Sequence, residues 1–165
     1  MKNFRFLGAC SAAALLMAAT PGDSIAQPAD SKAEHTHEMH SPGAVLTAYR
    51  DALIALDLEA AGVNFAEDSS IFENGKPEGN WDNYAAQHLG PELGHFHSFT
   101  FPAYDVDLRQ DGHYAFGEER YTYRIELHDG RIVEREGVAT SVLRHGDDGW
   151  KIIVYHSSGR PPKRS

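Results

Sequence analysis

The chain has 165 residues, with 24 acidic and 15 basic side chains and a formal net charge of −9 at pH 7. An acidic surface repels phosphate backbones and anionic lipids, which argues against nucleic-acid binding and membrane-surface binding. The length suits one domain with one core, and a hydrophobic content of 41% predicts folding rather than disorder.

Residues 1–26 have the features of a secretory signal peptide. Lys2 and Arg5 give a positive start, residues 6–20 form an uncharged apolar run, and Ser24-Ile25-Ala26 supplies the small residues of a cleavage site. A membrane anchor is the alternative, but the run is shorter than the roughly 20 residues that span a bilayer core. We therefore expect cleavage after Ala26 and an exported protein, periplasmic or secreted, without further membrane attachment.

Residues 27–40 are polar, lack apolar periodicity and contain His35, His37 and His40. This composition predicts a flexible arm before a domain over residues 41–160 and a basic tail over 161–165. Closely spaced imidazoles can converge on one ion, so the arm is a candidate for weak binding of copper, nickel or zinc. The alternative is a solvated linker that binds no metal.

The domain begins with two predicted helices. Ser41 followed by Pro42 is typical of a helix start, and apolar residues recur at helical spacing as far as Leu56. Asp57 can cap a second, shorter helix that includes Phe65 and ends near residue 68.

A short strand over residues 70–72 is predicted next, ending at the turn signal Glu73-Asn74-Gly75. Asn80 can cap a third helix that places Trp81, Tyr84 and His88 on one side and ends by Gly94.

Four strand-like segments follow, near residues 95–109, 113–127, 131–144 and 150–157, and turn signals rich in aspartate and glycine separate them. Such turns indicate hairpins, so we predict one antiparallel meander. In the first of these strands the apolar parity switches around Pro102-Ala103. A β-bulge there would keep the apolar set inward and bend the sheet.

This order of elements resembles the nuclear-transport-factor-2-like superfamily, and its SnoaL-like branch in particular. The similar motifs are Phe72-Glu73-Asn74-Gly75, Trp81-Asp82-Asn83-Tyr84, His88-Leu89-Gly90-Pro91-Glu92-Leu93, residues 137–144, residues 149–153 and His156-Ser157-Ser158. The resemblance implies an α+β fold in which a strongly curved, cone-shaped, mixed or antiparallel sheet wraps around three N-terminal helices. It also implies an internal pocket and, commonly, a homodimer through the outer sheet face.

His156 and His88 are the candidate catalytic residues. His156 shares its strand parity with Trp150, Ile152 and Val154, so it is expected to face the pocket as a general base or acid. A buried histidine held by one hydrogen bond is the alternative. His88 has the same two interpretations on the third helix.

Tyr84, Tyr123, Trp81 and His97 are the candidate ligand contacts. His97 also shares a strand face with His95, a spacing that can supply two metal ligands but is weak evidence alone. The charged run Glu118-Glu119-Arg120, together with Arg124, is interpreted as cross-strand ion pairs rather than a catalytic set.

No phosphate loop, nucleophile elbow or zinc-protease helix motif occurs in the sequence, so no cofactor is expected. The prediction is an exported pocket protein that binds, isomerises or dehydrates a small hydrophobic carbonyl-type molecule, as a cofactor-independent lyase or isomerase if it is an enzyme. The alternative is a non-enzymatic metal-handling or interaction module, with the cone as a dimer scaffold and the histidine-rich arm as the ligand.

Overall fold

A computed structural model describes residues 41–163. In chain order its elements are α1 Pro42–Ala55, α2 Leu58–Gly62, β1 Phe65–Glu73, β2 Lys76–Gly79, α3 Trp81–Tyr84, a π-helical turn Ala85–Leu89, α4 Gly90–Leu93, β3 Phe96–Asp111, β4 Tyr114–Leu127, β5 Ile132–Gly146 and β6 Gly149–Arg160. Within these residues, no helix has the length and apolar character needed to cross a bilayer.

Side-chain caps fix where the helices begin, as predicted. The Ser41 hydroxyl accepts a hydrogen bond from the amide of Ala44, and an Asp57 oxygen caps α2 in the same way. The second helix is shorter than predicted, because it ends at Gly62 and Phe65 already pairs with Ile152 of β6. Pairing in the sheet therefore overrides the helical spacing of that segment.

The six strands form one open, mixed sheet in the order β2-β1-β6-β5-β4-β3. Strands β3 to β6 form the predicted antiparallel meander, and β1 joins it in parallel with β6. The hairpin between β1 and β2 turns at Asn74 and Gly75, whose φ angles of 51° and 84° suit an asparagine and a glycine. The predicted α+β class is confirmed.

β-Bulges determine which side chains face the helices. The predicted bulge in β3 is present, since the register with β4 shifts between Thr100 and Ala103. A further shift lies between Phe96 and Ser98. In β6 the register with β5 shifts at Ile153, which has no partner between Ile152 and Val154. Each extra residue exchanges the inward and outward parity of the strand beyond it.

Helix α1 packs on the concave side of the sheet and builds the core there. Leu46 is almost fully buried, and the Tyr49 ring makes edge contacts with Phe65 at 5.1 Å and with Tyr155 at 5.3 Å between ring centroids. Beside this packed end, a cavity separates the helices from the inner face of β3, β4 and β6.

Candidate active site

The cavity has a volume of about 90 Å³, and its wall is largely aromatic. Six tyrosines, three phenylalanines, three glutamates and Arg50 line it. A cavity of roughly 150 Å³ holds one benzene molecule. The present space therefore accommodates a ligand of a few heavy atoms, and a ring enters it only when wall side chains move.

Glu119 of β4 is the most buried charged side chain of the wall, with 3% of its surface exposed. The Tyr104 hydroxyl donates a hydrogen bond to its Oε2 at 2.7 Å, and Ser141 donates to its Oε1 at 3.3 Å. Burial raises the pKa of Glu119 above the usual glutamate value, and the two hydrogen bonds only partly offset this. Glu119 is thus a carboxyl group that folding shifts toward its protonated form.

Sequence reasoning grouped Glu119 with the surface charges, and for this residue the interpretation was wrong. Its neighbours fit that interpretation: Glu118 of β4 pairs with Arg109 of β3 at 2.6 Å, and Arg124 of β4 lies 3.7 Å from Glu134 of β5, on the outer face. A usable signal was present, because Glu119 shares the parity of the inward residues Gly117 and Tyr121.

Tyr49 supplies a free hydrogen-bond donor. It lies on α1, is 4% exposed and lines the cavity. Its hydroxyl makes no hydrogen bond with any residue of the described part of the chain. Burial raises its pKa well above the usual value, and the charges of Glu73 and Glu119 add to this, so the proton stays on the oxygen. The hydroxyl oxygen is not among the fully buried unsatisfied atoms, so a ligand oxygen or a water in the cavity can reach it and accept its hydrogen bond.

Glu73 ends β1 at the opposite part of the wall. The Tyr84 hydroxyl donates a hydrogen bond to its Oε2 at 2.7 Å, whereas its Oε1 has only a 3.5 Å contact with the Asn74 amide.

Two of the predicted ligand contacts, Tyr84 and Tyr123, lie on the cavity wall. Their role in binding stays a prediction.

His88 does not line the cavity but lies directly behind its wall. Nε2 is 3.3 Å from Oε1 of Glu92 and 3.9 Å from Oε2 of Glu73, and both of these glutamates are wall residues. Nδ1 is 3.0 Å from Oε1 of Glu78. Partial burial alone would lower the pKa of His88, but its contact with Glu78 and the charges of all three carboxylates raise it.

The structure moves three other predicted residues away from the cavity. His156 is exposed on the outer sheet face beside the Phe72 ring, because the bulge at Ile153 reverses the parity of β6 beyond it. Tyr155 and Ser157 face inward instead.

His97 is exposed at the first bulge of β3, where its ring lies 5.9 Å from that of His128. Trp81 stacks on Phe65 at 4.7 Å between ring centroids and belongs to the core. Neither side chain lines the cavity.

Residues 41–163 contain no group of three or more histidine, cysteine, aspartate or glutamate side chains that could hold a metal ion. The candidate metal ligands His35, His37 and His40 lie outside the described residues. Their metal binding stays a prediction.

Residues 43–162 match the SnoaL-like domain family. None of the curated proteins compared with the chain matches it.

The fold is similar to several solved structures. One is a candidate dehydratase of the nuclear-transport-factor-2-like family from Streptomyces avermitilis, with a TM-score of 0.65 and 18% identity over 77% of this chain and 99% of that one. A ketosteroid isomerase-like protein from Erwinia carotovora atroseptica has a TM-score of 0.61 and 20% identity over 76% and 98%. A candidate scytalone dehydratase from Novosphingobium aromaticivorans has a TM-score of 0.64 and 13% identity over 79% and 89%. The family match covers nearly the whole described chain, which therefore belongs to the SnoaL-like domain family and has the nuclear-transport-factor-2-like fold.

Proposed function

We propose that this protein is a cofactor-independent isomerase or dehydratase that moves a proton in a small hydrophobic carbonyl compound. The observation that carries the proposal is the hydroxyl of the buried Tyr49, which has no hydrogen bond within residues 41–163 and lies at a cavity whose wall also holds Glu73 and Glu119. The isomerase-like and dehydratase-like proteins that share the fold support the same reaction class.

The proposed reaction begins at the carbon next to the carbonyl group. The Glu73 carboxylate takes a proton from this carbon, and the electron pair of the broken bond moves onto the carbonyl oxygen. Tyr49 donates a hydrogen bond to that oxygen, where the negative charge develops, and so stabilises the enolate.

Two outcomes follow from the same enolate. In isomerisation, Glu73 returns the proton to another carbon of the conjugated system. In dehydration, the carbon–oxygen bond of a β-hydroxyl group breaks, and Glu119 gives its proton to the departing oxygen so that water leaves. The environment of Glu119 favours the protonated form that this role needs.

The wall also limits the substrate class. With Glu119 protonated, the carboxylates of Glu73 and Glu92 still outnumber the cation of Arg50 among the described wall residues and disfavour an anionic substrate. The nine aromatic rings favour an apolar one. The volume of about 90 Å³ restricts it to a short chain or, with movement of the wall, a single ring. We further propose that the protein acts after export, on the strength of the signal-peptide features of residues 1–26.

Deuterium exchange tests the proposed reaction without knowledge of the natural substrate. Acetone, cyclohexanone and acetophenone form a size series of carbonyl probes whose α-proton exchange in heavy water is followed by proton NMR. We expect the protein to accelerate exchange above the buffer rate, and Glu73→Gln to lower the acceleration by about a hundredfold or more.

Glu118→Gln is the matched control, because it makes the same change on the outer sheet face. We expect it to exchange like the wild type. Absence of exchange above buffer for every probe, or equal loss in both variants, contradicts the proposal.

A further inference from the structure

Behind the Glu73 side of the cavity lies a cluster of ionisable side chains, of which the proposed reaction uses only Glu73. Four of its members come from one segment of the chain: Glu73 of β1, Glu78 of β2, His88 of the π-helical turn and Glu92 of α4. Only 3% of the surface of Glu78 is exposed, although glutamate side chains are normally solvated. A buried carboxylate destabilises the fold unless a cation or a hydrogen-bond donor compensates for its lost hydration.

The imidazole of His88 bridges the back of this cluster to the cavity wall. Nδ1 lies 3.0 Å from Oε1 of Glu78, a buried oxygen that has no well-aligned hydrogen bond within the described residues. Nε2 points the other way, 3.3 Å from Oε1 of Glu92 and 3.9 Å from Oε2 of Glu73. Only these last two glutamates reach the cavity.

The local backbone places the ring at this point. Residues Ala85–Leu89 form a π-helical turn, in which the Gly90 amide donates to the Ala85 carbonyl. A side chain at position 90 would collide with that carbonyl oxygen, so the glycine permits the wider turn. Single π-helical turns inside helices occur frequently at functional sites.

We infer that His88 is a positioning residue, anchored by Glu78, whose positive charge holds Glu73 and Glu92 in place at the cavity wall. Without a cation between them, neighbouring carboxylates repel one another or share protons. The role of Glu73 as the base rests on the proposed function, whereas the charge network itself does not.

The other groups that face His88 are consistent with this role. Lys76 of β2 neutralises the far oxygen of Glu78 at 2.9 Å, which leaves the near oxygen for the imidazole. The Tyr84 ring lies 5.3 Å from the His88 ring, and its hydroxyl binds Glu73. Three carboxylates, one lysine and one neutral phenol therefore surround the imidazole.

NMR titration of the full mature chain tests the network in the absence of any substrate. In wild type we expect His88 to titrate above the ordinary histidine value of 6.5. Glu78→Gln removes one anion and should lower the His88 pKa by roughly one unit. His88→Gln should raise the pKa of Glu92 by a similar amount, because the imidazole charge lowers it in wild type.

His97→Gln is the matched control for His88→Gln, since His97 is exposed and does not line the cavity. Glu92→Gln is the second variant: its side chain is half exposed, so the change leaves the core intact, and it too should lower the His88 pKa. If the pKa of His88 stays the same in both Glu78→Gln and Glu92→Gln, the inference is overturned.

The exchange assay separates this inference from the proposed function. In wild type the exchange rate should fall as the pH rises through the pKa of His88, because the imidazole then loses its charge. This fall in rate with pH should be absent from His88→Gln and present in His97→Gln. Shifted titrations without exchange in wild type would overturn the proposed function alone, whereas exchange with unshifted titrations would overturn the inference alone.

Discussion

At neutral pH the burial of Glu119 destabilises the folded protein, and its hydrogen bonds with Tyr104 and Ser141 compensate only in part. Its folded-state pKa is raised from the usual value of 4.5, so folding favours its protonated form. The contribution of protonated Glu119 to the unfolding free energy is fully present below the unfolded-state pKa. It is lost as the pH rises through the folded-state pKa. Each unit of raised pKa corresponds to about 1.4 kcal/mol.

We therefore predict that the unfolding free energy of Glu119→Gln rises relative to wild type as the pH increases from 4.5 toward neutrality. A neutral amide can still accept from Tyr104 and donate to Ser141. Urea denaturation at several pH values measures the difference. Glu118→Gln, one residue away and exposed, should follow the wild type at every pH. A Glu119→Gln difference that is constant with pH would contradict the raised pKa.

At the residue scale, two of the nine aromatic wall residues, Tyr84 and Tyr123, are predicted from the sequence as ligand contacts, whereas the buried Glu119 is not. Tyr84 and Tyr123 were found because inward tyrosines follow the periodicity of their elements. Glu119 was missed because a charged residue on a strand is usually solvated, and only its parity with Gly117 and Tyr121 indicates otherwise. The free hydroxyl of Tyr49 depends on contacts between distant elements, which no local pattern reveals.

At the element scale, one bulge was predictable and another was not. In β3 the apolar parity changes on either side of Pro102, so the pattern requires a bulge. In β6 the residues Ile152, Ile153 and Val154 are all apolar, so either parity fits the sequence. The bulge at Ile153 therefore became visible only in the register with β5, and it is what places His156 outside.

Glycines in β5 and β6 shape the cavity from the sheet side. Gly137 lies directly opposite Tyr121 in the neighbouring strand, and a Cβ at position 137 would overlap the Tyr121 ring. We predict that Gly137→Ala displaces this wall ring, lowers the unfolding free energy by about 1–3 kcal/mol and weakens binding of carbonyl probes. Denaturation and calorimetric titration measure the two effects.

Gly146→Ala is the matched control in the same strand, because a Cβ there meets no atom within 4 Å. It should change stability by at most about 0.5 kcal/mol. If the two substitutions had equal effects, overlap with the Tyr121 ring would not be the reason for the glycine at position 137.

At the scale of the whole molecule, the outer face of the sheet lies outside the cavity. Phe72, Phe116 and Val138 are exposed there, although the sheet is only one layer thick. We propose that a second copy of the chain covers this face, because a sheet needs a packing partner on each apolar side.

We predict that the wild-type chain has twice the subunit mass in light scattering at micromolar concentration, and that Val138→Asp gives the single mass. Val63→Asp is the control, since Val63 is 60% exposed, comparable with 54% for Val138, but lies beside α2 instead of on the sheet. A monomeric wild type, or dissociation by both substitutions, would contradict a dimer through this face.

The central claim is that Tyr49 donates a hydrogen bond to the carbonyl oxygen of a ligand in the cavity. The infrared carbonyl band of carbon-13-labelled cyclohexanone measures this bond at the atom concerned, at protein concentrations that saturate binding. We predict a band shifted to lower wavenumber in wild type and in the control Tyr114→Phe, whose ring is exposed on the outer face. In Tyr49→Phe the shift should disappear while the ring still packs on Phe65. An equal shift in Tyr49→Phe and wild type would contradict the account.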